Sequence, residues 1–291
     1  MKTTLYQRMT ALAAVALIAA FTAYGQPTGG KGPDVLIAGF ESFGQEGTKP
    51  GCWLNGAGQA LSFARAPYSD RAIAIAVSGS DVYIAGSDGN TPGYWLNGVW
   101  QALPVTGTRS SARAIAISSS DVYIAGNDGD KPCYWLNGAQ VLLPVNGKGV
   151  AAGIAVSGSD VYIAGSGNTY NGYYTKYTPC YWLNGERHDL YCTGLGTTAT
   201  AIAVSGSDVY VVGEERDREY STGTPCYWLN GSQVTLPVTG TWGGYANAIA
   251  VSGSDVYIAG GNSGSPGYWL NGKWQAFRTK TSGSANAIVL R

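Results

Sequence analysis

Short runs of apolar and β-branched residues recur along the chain and are separated by glycine, serine and asparagine. One copy contains four such runs, Ala72–Val77, Asp81–Gly86, Gly93–Leu96 and Val99–Val105. The last two runs flank Asn97-Gly98, a strong hairpin signal because a type I′ turn needs positive φ at both central residues. The pattern predicts a four-stranded antiparallel meander, whose strands are called A, B, C and D in chain order.

The same pattern is written six times. Strand B begins at Asp34, Asp81, Asp121, Asp160, Asp208 and Asp255. The tryptophan of the following Trp-Leu-Asn-Gly is Trp53, Trp95, Trp135, Trp182, Trp228 and Trp269. Successive copies start 39 to 48 residues apart. A period of this length indicates one supersecondary unit that stacks on copies of itself.

Both faces of each predicted sheet are apolar. Tyr83 and Ala85 lie on one side of strand B, and Val82 and Ile84 lie on the other. Such a sheet must be covered on both sides, and radial stacking around an axis provides this cover. We therefore expect an all-β fold, a six-bladed β-propeller over residues 34–291. A linear solenoid with polar capping units is the alternative.

The two ends of the repeat region predict how the ring closes. The first copy begins with strand B at Val35–Gly39, and the chain ends with the strand A pattern Ala287–Leu290. We expect this last strand to join the first blade, because an open ring would expose two apolar faces.

Residues 1–25 have the pattern of a secretory signal peptide. Lys2 and Arg8 precede the apolar run Ala11–Phe21, and the small-x-small pair Ala23 and Gly25 follows, with cleavage expected after Gly25. The apolar run is too short for a membrane span. A short linker, 26–33, leads to the repeats. The sequence therefore predicts a secreted, periplasmic or cell-surface protein, and a buried N-terminal helix is the alternative for this segment.

Charge and cysteine content limit the binding partners and the disulfides that we expect for this protein. Charged residues make up 12% of the chain and the formal net charge is zero, so nothing indicates nucleic acid as a partner. Export would permit disulfides, but Cys133, Cys180 and Cys226 occupy equivalent places in successive copies, which suits small buried thiols. Cys180 and Cys192 share one copy, yet the hairpin register does not place them opposite each other.

No catalytic or metal-binding constellation stands out. The repeated aspartate of strand B follows a Ser-Gly-Ser or Ser-Ser-Ser turn, where a carboxylate accepts N–H bonds from its own turn. His188 is the only histidine, so the usual zinc ligand set is missing. Asp88-Gly89-Asn90 and Asp128-Gly129-Asp130 are similar to calcium loops but lack the bidentate glutamate. We predict no cofactor and no metal.

Variation between the copies concentrates on one face. The A–B and C–D turns are short and uniform, whereas the B–C and D–A loops differ in every copy. The longest predicted B–C loops are 166–177 in the fourth copy and 214–220 in the fifth. Aromatic residues on these loops suit a recognition surface. The predicted ligand-binding residues are Tyr170, Tyr173, Tyr174, Tyr177, Tyr220, Trp242 and Tyr245.

The repeated unit resembles the repeats of secreted bacterial β-propeller proteins. The resemblance is carried by the segment Ala-Ile-Ala-Val-Ser-Gly-Ser-Asp-Val-Tyr-Ile-Ala-Gly followed by Tyr-Trp-Leu-Asn-Gly, and it covers residues 34–291. The unit is also similar to NHL-type repeats. The Trp-Leu-Asn-Gly hairpin departs from those families. The resemblance implies a propeller that often serves as an exported binding module, and it supplies no catalytic residues.

We therefore expect a monomeric, non-enzymatic binding module whose ligand is a glycan or a protein. A hydrolase or lyase that uses Glu214, Glu215 or Asp217 is one alternative, and it requires two carboxylates from different blades to converge on one pocket. A structural or adhesive surface protein is the other, because repeated units can provide repeated weak sites.

Overall fold

The computed structural model describes residues 36–42, 48–54, 57–61, 71–88, 91–170, 175–217, 222–278 and 285–288. Within these ranges the chain forms strands and turns and no helix, so the all-β prediction is confirmed. Accordingly, no described helix is long and apolar enough to cross a membrane. The predicted signal peptide and linker lie outside the described residues.

The strands of the first three sheets follow the repeats. Sheet one contains β1 (Leu36–Ser42), β2 (Thr48–Leu54) and β3 (Ala57–Ala60). Sheet two contains β4 (Arg71–Ser78), β5 (Asp81–Asp88), β6 (Thr91–Leu96) and β7 (Val99–Ala102). Sheet three contains β8 (Ser111–Ser118), β9 (Asp121–Asp128), β10 (Lys131–Leu136) and β11 (Ala139–Leu142).

Each of the last three sheets also contains four strands. Sheet four contains β12 (Lys148–Ser157), β13 (Asp160–Tyr170), β14 (Thr175–Leu183) and β15 (Glu186–Asp189). Sheet five contains β16 (Thr198–Ser205), β17 (Asp208–Glu215), β18 (Thr224–Leu229) and β19 (Ser232–Thr235). Sheet six contains β20 (Gly244–Ser252), β21 (Asp255–Asn262), β22 (Ser265–Leu270) and β23 (Lys273–Ala276).

Five of these sheets are four-stranded meanders in which neighbouring strands follow each other in the chain. Neighbouring strands within these sheets run antiparallel, for example with Asp208 of β17 opposite Ser205 of β16. Sheet one has three strands in the described residues, and they correspond to strands B, C and D. Repeated four-stranded antiparallel sheets are the form of β-propeller blades.

The chain divides into two compact units, Met1–Gly129 with Trp135–Val141, and Asp130–Tyr134 with Leu142–Arg291. In the first unit, Cys52 and Leu61 of the first repeat pack with Val82, Ile84 and Trp95 of sheet two. In the second unit, one core joins sheet four to sheet five and another joins sheet five to sheet six. Within each unit, the apolar faces of consecutive sheets cover each other.

The strand C tryptophans form the centre of these cores. Trp95, Trp135, Trp182, Trp228 and Trp269 are each 0% exposed. The Nε1–H of Trp228 donates to the carbonyl of Tyr191, which follows strand D of the preceding sheet, at 2.8 Å. Trp135, Trp182 and Trp269 make the same bond at 2.9–3.1 Å. The expectation that these residues are core rather than a ligand platform agrees with this burial.

The repeated aspartates and the Asn-Gly turns belong to one structural device. In sheet five the side-chain oxygen of Asn230 accepts from the N–H of Val209 at 2.9 Å, and its Nδ2 donates to Asp208 at 2.8 Å. The same two bonds recur at Asn97, Asn137, Asn184 and Asn271. The sequence predicted bonds from the aspartate to its own turn, whereas the structure pairs it with the next hairpin.

Strand A carries a bulge at the same place in each of these sheets. The register shifts between Ala199 and Ala201 in sheet five and between Ala246 and Ala248 in sheet six. The extra residue reaches the next strand A, since the hydroxyl of Thr200 donates to the carbonyl of Ala246 at 2.8 Å. In sheet five the bulge therefore turns the side chain of Thr200 toward sheet six.

The segment 285–288 lies beside sheet six. The Nδ2 of Asn247 donates to the carbonyl of Ala285 at 3.0 Å, and the N–H of Ala285 donates to Gly260 at 3.1 Å. Asn247 and Ala285 thus repeat the contact between Thr200 and Ala246. Residues 285–288 are not part of a strand, and 289–291 lie outside the described residues. That this segment joins sheet one remains a prediction.

The clamp between Asn230 and Asp208 predicts a measurable loss of stability. Asn230 has φ +51°, so Asn230→Ala removes two hydrogen bonds and also strains the backbone. We expect a loss of about 2–3 kcal/mol, measured by urea unfolding. The control Asn230→Gly tolerates positive φ and should lose only about 1–2 kcal/mol. Equal stability of Asn230→Gly and the wild type would contradict the clamp.

Candidate functional site

Backbone hydrogen bonds connect the B–C and D–A loops of sheets four, five and six. Gly196 donates to Arg216 at 3.0 Å, and Tyr177 donates to Leu195 at 2.8 Å. Gly244 donates to Gly223 and Ser263 donates to Gly243, both at 2.9 Å. Residues 177, 195–196, 216, 223, 243–244 and 263 are called the loop belt. Because each loop is bonded to the next, the belt presents its side chains on a fixed backbone.

Trp242 is the most exposed of the large apolar side chains in the described residues, at 83%. Its loop is anchored on both sides of the indole. The N–H of Thr239 donates to the side chain of Asn262 at 2.9 Å, and Gly243 belongs to the loop belt. Gly240 and Gly243 have φ +105° and +67°, so the backbone turns sharply around the tryptophan.

Tyr245, the next predicted binding residue, is 36% exposed. Its ring lies against the backbone of Gly261, where an added Cβ would be 2.6 Å from the tyrosine hydroxyl. Tyr177 is partly buried and belongs to the loop belt through its N–H. Both residues therefore have a packing role besides any contact with a ligand.

The remaining predicted residues are described in part or not at all. Tyr170 is the last residue of β13 and pairs with Thr175, and only its backbone is described. Tyr173, Tyr174 and Tyr220 lie outside the described residues. The structure thus brings Tyr177, Trp242 and Tyr245 to the loop edge of the second unit.

The long B–C loop predicted for sheet four, 166–177, was wrong in large part. Strand β13 ends only at Tyr170, and β14 already begins at Thr175. Gly167 pairs with Thr178 in regular register. Thr169 and Lys176 also pair. The polar and glycine-rich composition suggested a loop, but cross-strand hydrogen bonds extend the hairpin instead.

An exposed aromatic residue that the sequence did not single out is Tyr191, at 67%. It directly follows Leu190 in the D–A loop before sheet five, and its carbonyl accepts the bond from Trp228. The signal was present, because Tyr191 occupies the place of Pro104, Pro144 and Pro237 in other copies.

Carboxylates at the end of strand B accept hydrogen bonds from the D–A loop that precedes their sheet. The carboxylate of Asp128 accepts from the N–H groups of Thr106 and Gly107 at 2.6–3.1 Å. The carboxylate of Glu215 accepts from the N–H groups of Thr193 and Gly194 at 2.7–2.8 Å. The Thr-Gly pair that these two D–A loops share is the sequence signal of this contact, although the loops differ at most of their other positions.

These bonds determine the charge state of both carboxylates. Although burial opposes ionisation, the donated hydrogen bonds hold the pKa of Asp128 and the pKa of Glu215 below their usual values. The Asp128 carboxylate is therefore engaged by donors rather than available to calcium. In the described residues, no group of three or more histidine, cysteine or acidic side chains could hold a metal ion.

Glu214 has the opposite environment. Burial raises the pKa of its carboxyl, and the bonded guanidinium of Arg216 only partly offsets this effect. Glu214 and Glu215 are adjacent in β17, so their side chains leave opposite faces of the sheet. Glu214 and Glu215 therefore cannot together form the carboxylate pair of a glycosidase, which has to flank one sugar.

The structure contains no disulfide among the five cysteines, all of which are described. Cys52, Cys133, Cys180 and Cys226 are buried, and burial raises the pKa of Cys180 and of Cys226 to about 12. His188 stacks on Tyr181 at 4.8 Å between ring centroids. The buried thiols and His188 serve packing in sheets one, three, four and five.

Comparison with known proteins gives distant structural likenesses. No family model matches the chain, and no curated protein is similar to it. The computationally designed Ika8 protein is 18% identical with TM-score 0.49, over 90% of this chain and 76% of that chain. YCF48, solved with a D1 peptide, is 13% identical with TM-score 0.48, over 86% of both chains. Drosophila Plexin A, solved with Semaphorin 1b, is 10% identical with TM-score 0.49, over 88% and 82%. No function is carried over from similarity this distant.

Glu214 and Glu215 predict opposite changes of stability with pH. The lowered pKa of Glu215 contributes stability above its ordinary value of 4.5, and this contribution is lost as pH falls through the folded-state pKa. Glu215→Gln should therefore lose about 1–2 kcal/mol at pH 7, and the difference should shrink in acid.

The raised pKa of Glu214 contributes stability below 4.5, and this contribution is lost as pH rises through the folded-state pKa. Glu214→Gln should therefore gain stability relative to the wild type between acid and neutral pH. Chemical unfolding of both variants across this range checks the signs. Parallel pH profiles for the two variants would contradict the assignment.

Proposed function

We propose that the chain is a six-bladed β-propeller, closed by the segment that begins at Ala285. The repeated contact supports this closure, because Asn247 holds Ala285 as Thr200 holds Ala246 at the start of β20. Sheet one has no strand A among the described residues, so a closing strand would complete it.

Deletion of residues 286–291 tests the closure. If this segment completes sheet one, its loss uncovers apolar faces, and we expect the melting temperature to fall by roughly 10 °C or more. The control Asn247→Ala removes one side-chain bond to Ala285 and should cost only about 1 kcal/mol. A deletion variant with the same melting temperature as the full-length protein would contradict the closure.

We further propose that the protein is exported and acts as a non-enzymatic binding module. The single observation that carries this proposal is Trp242, an indole 83% exposed on a loop that is anchored on both sides. An exposed indole on an ordered backbone offers a large contact area at a small entropic cost.

A glycan suits this surface better than a protein does. The flat indole can stack on the apolar face of a sugar ring. Thr239 and Thr241 are close to it in the chain, and Thr222 lies beside Gly243, where an added Cβ would be 3.0 Å from the Cβ of Thr222. Thr239 and Thr241 are exposed, as is Thr222. Their hydroxyl groups match sugar hydroxyls as donors and acceptors.

One binding site is favoured over the repeated sites of an adhesive protein. The corresponding stretch of the loop before sheet three has Arg109, and the loop before sheet four has Lys148. Trp242 is therefore not repeated in these copies. A binding stoichiometry of one would agree with this difference, and several equivalent sites would favour the adhesive alternative.

The test is a glycan array followed by titration of the best ligand. Trp242→Ala should weaken binding at least ~10-fold, because exposed tryptophans at binding surfaces are common hot spots. Trp242→Phe should retain part of the affinity. The matched control is Val77→Ala, an exposed residue next to the A–B turn on the opposite edge of its sheet. Unchanged affinity in a folded Trp242→Ala variant would overturn the proposal. Binding to a protein but to no glycan would contradict the glycan as the ligand class.

A further inference from the structure

Two sheets contain the same pair of side chains below a D–A loop. In sheet three, Gln140 donates to the Asp128 carboxylate at 3.2 Å. In sheet five, Gln233 donates to the Glu215 carboxylate at 2.9 Å. The carboxylate stands at the end of strand B and the amide stands on strand D. Each pair therefore places a negative charge, satisfied by N–H donors, at the same point of the repeat.

Sheet four replaces both members of this pair. Gly167 follows Gly165 by two residues, as Glu215 follows Gly213, so it occupies the position of the carboxylate. Arg187 pairs with Trp182 across the hairpin, as Gln233 pairs with Trp228, so it occupies the position of the amide. This sheet has lost the internal carboxylate and gained a permanent positive charge.

The guanidinium of Arg187 faces the position that the missing side chain would occupy. A Cβ on Gly167 would be 3.0 Å from Nη1 and 3.2 Å from Nη2 of Arg187. The Arg187 side chain is 17% exposed, and its Nε–H donates to Asp189 at 2.7 Å. Asp189 is itself 62% exposed, so its charge is screened by water and compensates the guanidinium weakly.

We infer that sheet four binds the carboxylate of a ligand at Arg187, where sheets three and five use their own carboxylate. The Nη groups of an arginine form a fork that matches the two oxygens of a carboxylate. Asn146 and Gly147, which follow Val145 in the same loop, are exposed, so a ligand would enter from the loop side. Val145, whose Cγ2 would be 2.8 Å from the same Cβ, adds an apolar wall.

This site is separate from the one proposed around Trp242, and the inference does not rest on that function. The bound group is a carboxylate, which a uronic acid or the C-terminus of a peptide can supply. Acetate, the smallest probe of this chemistry, tests the site itself. Glucuronate and a short peptide, with free or amidated C-terminus, then distinguish the two sources.

The experiment measures acetate binding to the full chain by calorimetry and by thermal unfolding, with chloride at equal ionic strength as the reference. The wild type should show saturable stabilisation by acetate. Arg187→Gln introduces the amide found in sheets three and five. It should lower the affinity for acetate at least ~10-fold, because a hydrogen bond to a charged group is lost.

Gly167→Asp is the second variant, and it supplies the internal carboxylate. The atoms it would displace are the ends of the Val145 and Arg187 side chains, and Gly167 is not among the residues with positive φ. This variant should be more stable than the wild type and no longer respond to acetate. A wild type without acetate binding, or an equal response in Arg187→Gln, would overturn the inference.

Discussion

The contact on which the structure depends is the bond from a buried indole to the end of the preceding sheet. Each of Trp135, Trp182, Trp228 and Trp269 donates to a carbonyl at the start of a D–A loop. A buried N–H without an acceptor costs about 1–3 kcal/mol, so the indole determines where that loop must begin. Burial of the ring covers the faces of both sheets at the same time.

This arrangement explains why the loops can present a surface. Since a tryptophan holds the first residue of a D–A loop, the rest of that loop lies against the B–C turn of the next sheet. Acceptors such as Glu215 and Asn262 then bind its N–H groups. The loop belt is the continuation of these bonds through the backbone. Trp242 is therefore displayed by the same contacts that join the sheets.

The strands and hairpins were predictable because their signals are local. Alternation defines strands A and B, and Asn-Gly defines the C–D turn at Asn230 with its positive φ. The pairing of Asn230 with Asp208 and the cap of Glu215 on Thr193 were missed. Both contacts join residues that are 22 positions apart in the chain. Their proximity depends on the strand register, which local sequence signals do not determine. Glycine and tyrosine likewise suggested a loop where β13 continues to Tyr170.

Comparison of copies within one chain recovers part of this information, because each repeat is a control for the others. Gly267 lies where an added Cβ would be 2.8 Å from the ring of Trp274, so a glycine on strand C accompanies a tryptophan on strand D. Where strand D has Gln233 or Arg187 instead, strand C has Cys226 or Cys180, and the thiol fills the space left by the smaller partner. Packing thus accounts for these cysteines without any redox role. At Gly167, which replaces a carboxylate, the ends of Val145 and Arg187 lie 2.8–3.2 Å from where a Cβ would be, so neighbouring side chains again fill the space. The exchange removes a negative charge from this repeat while the strand register around Gly167 stays regular.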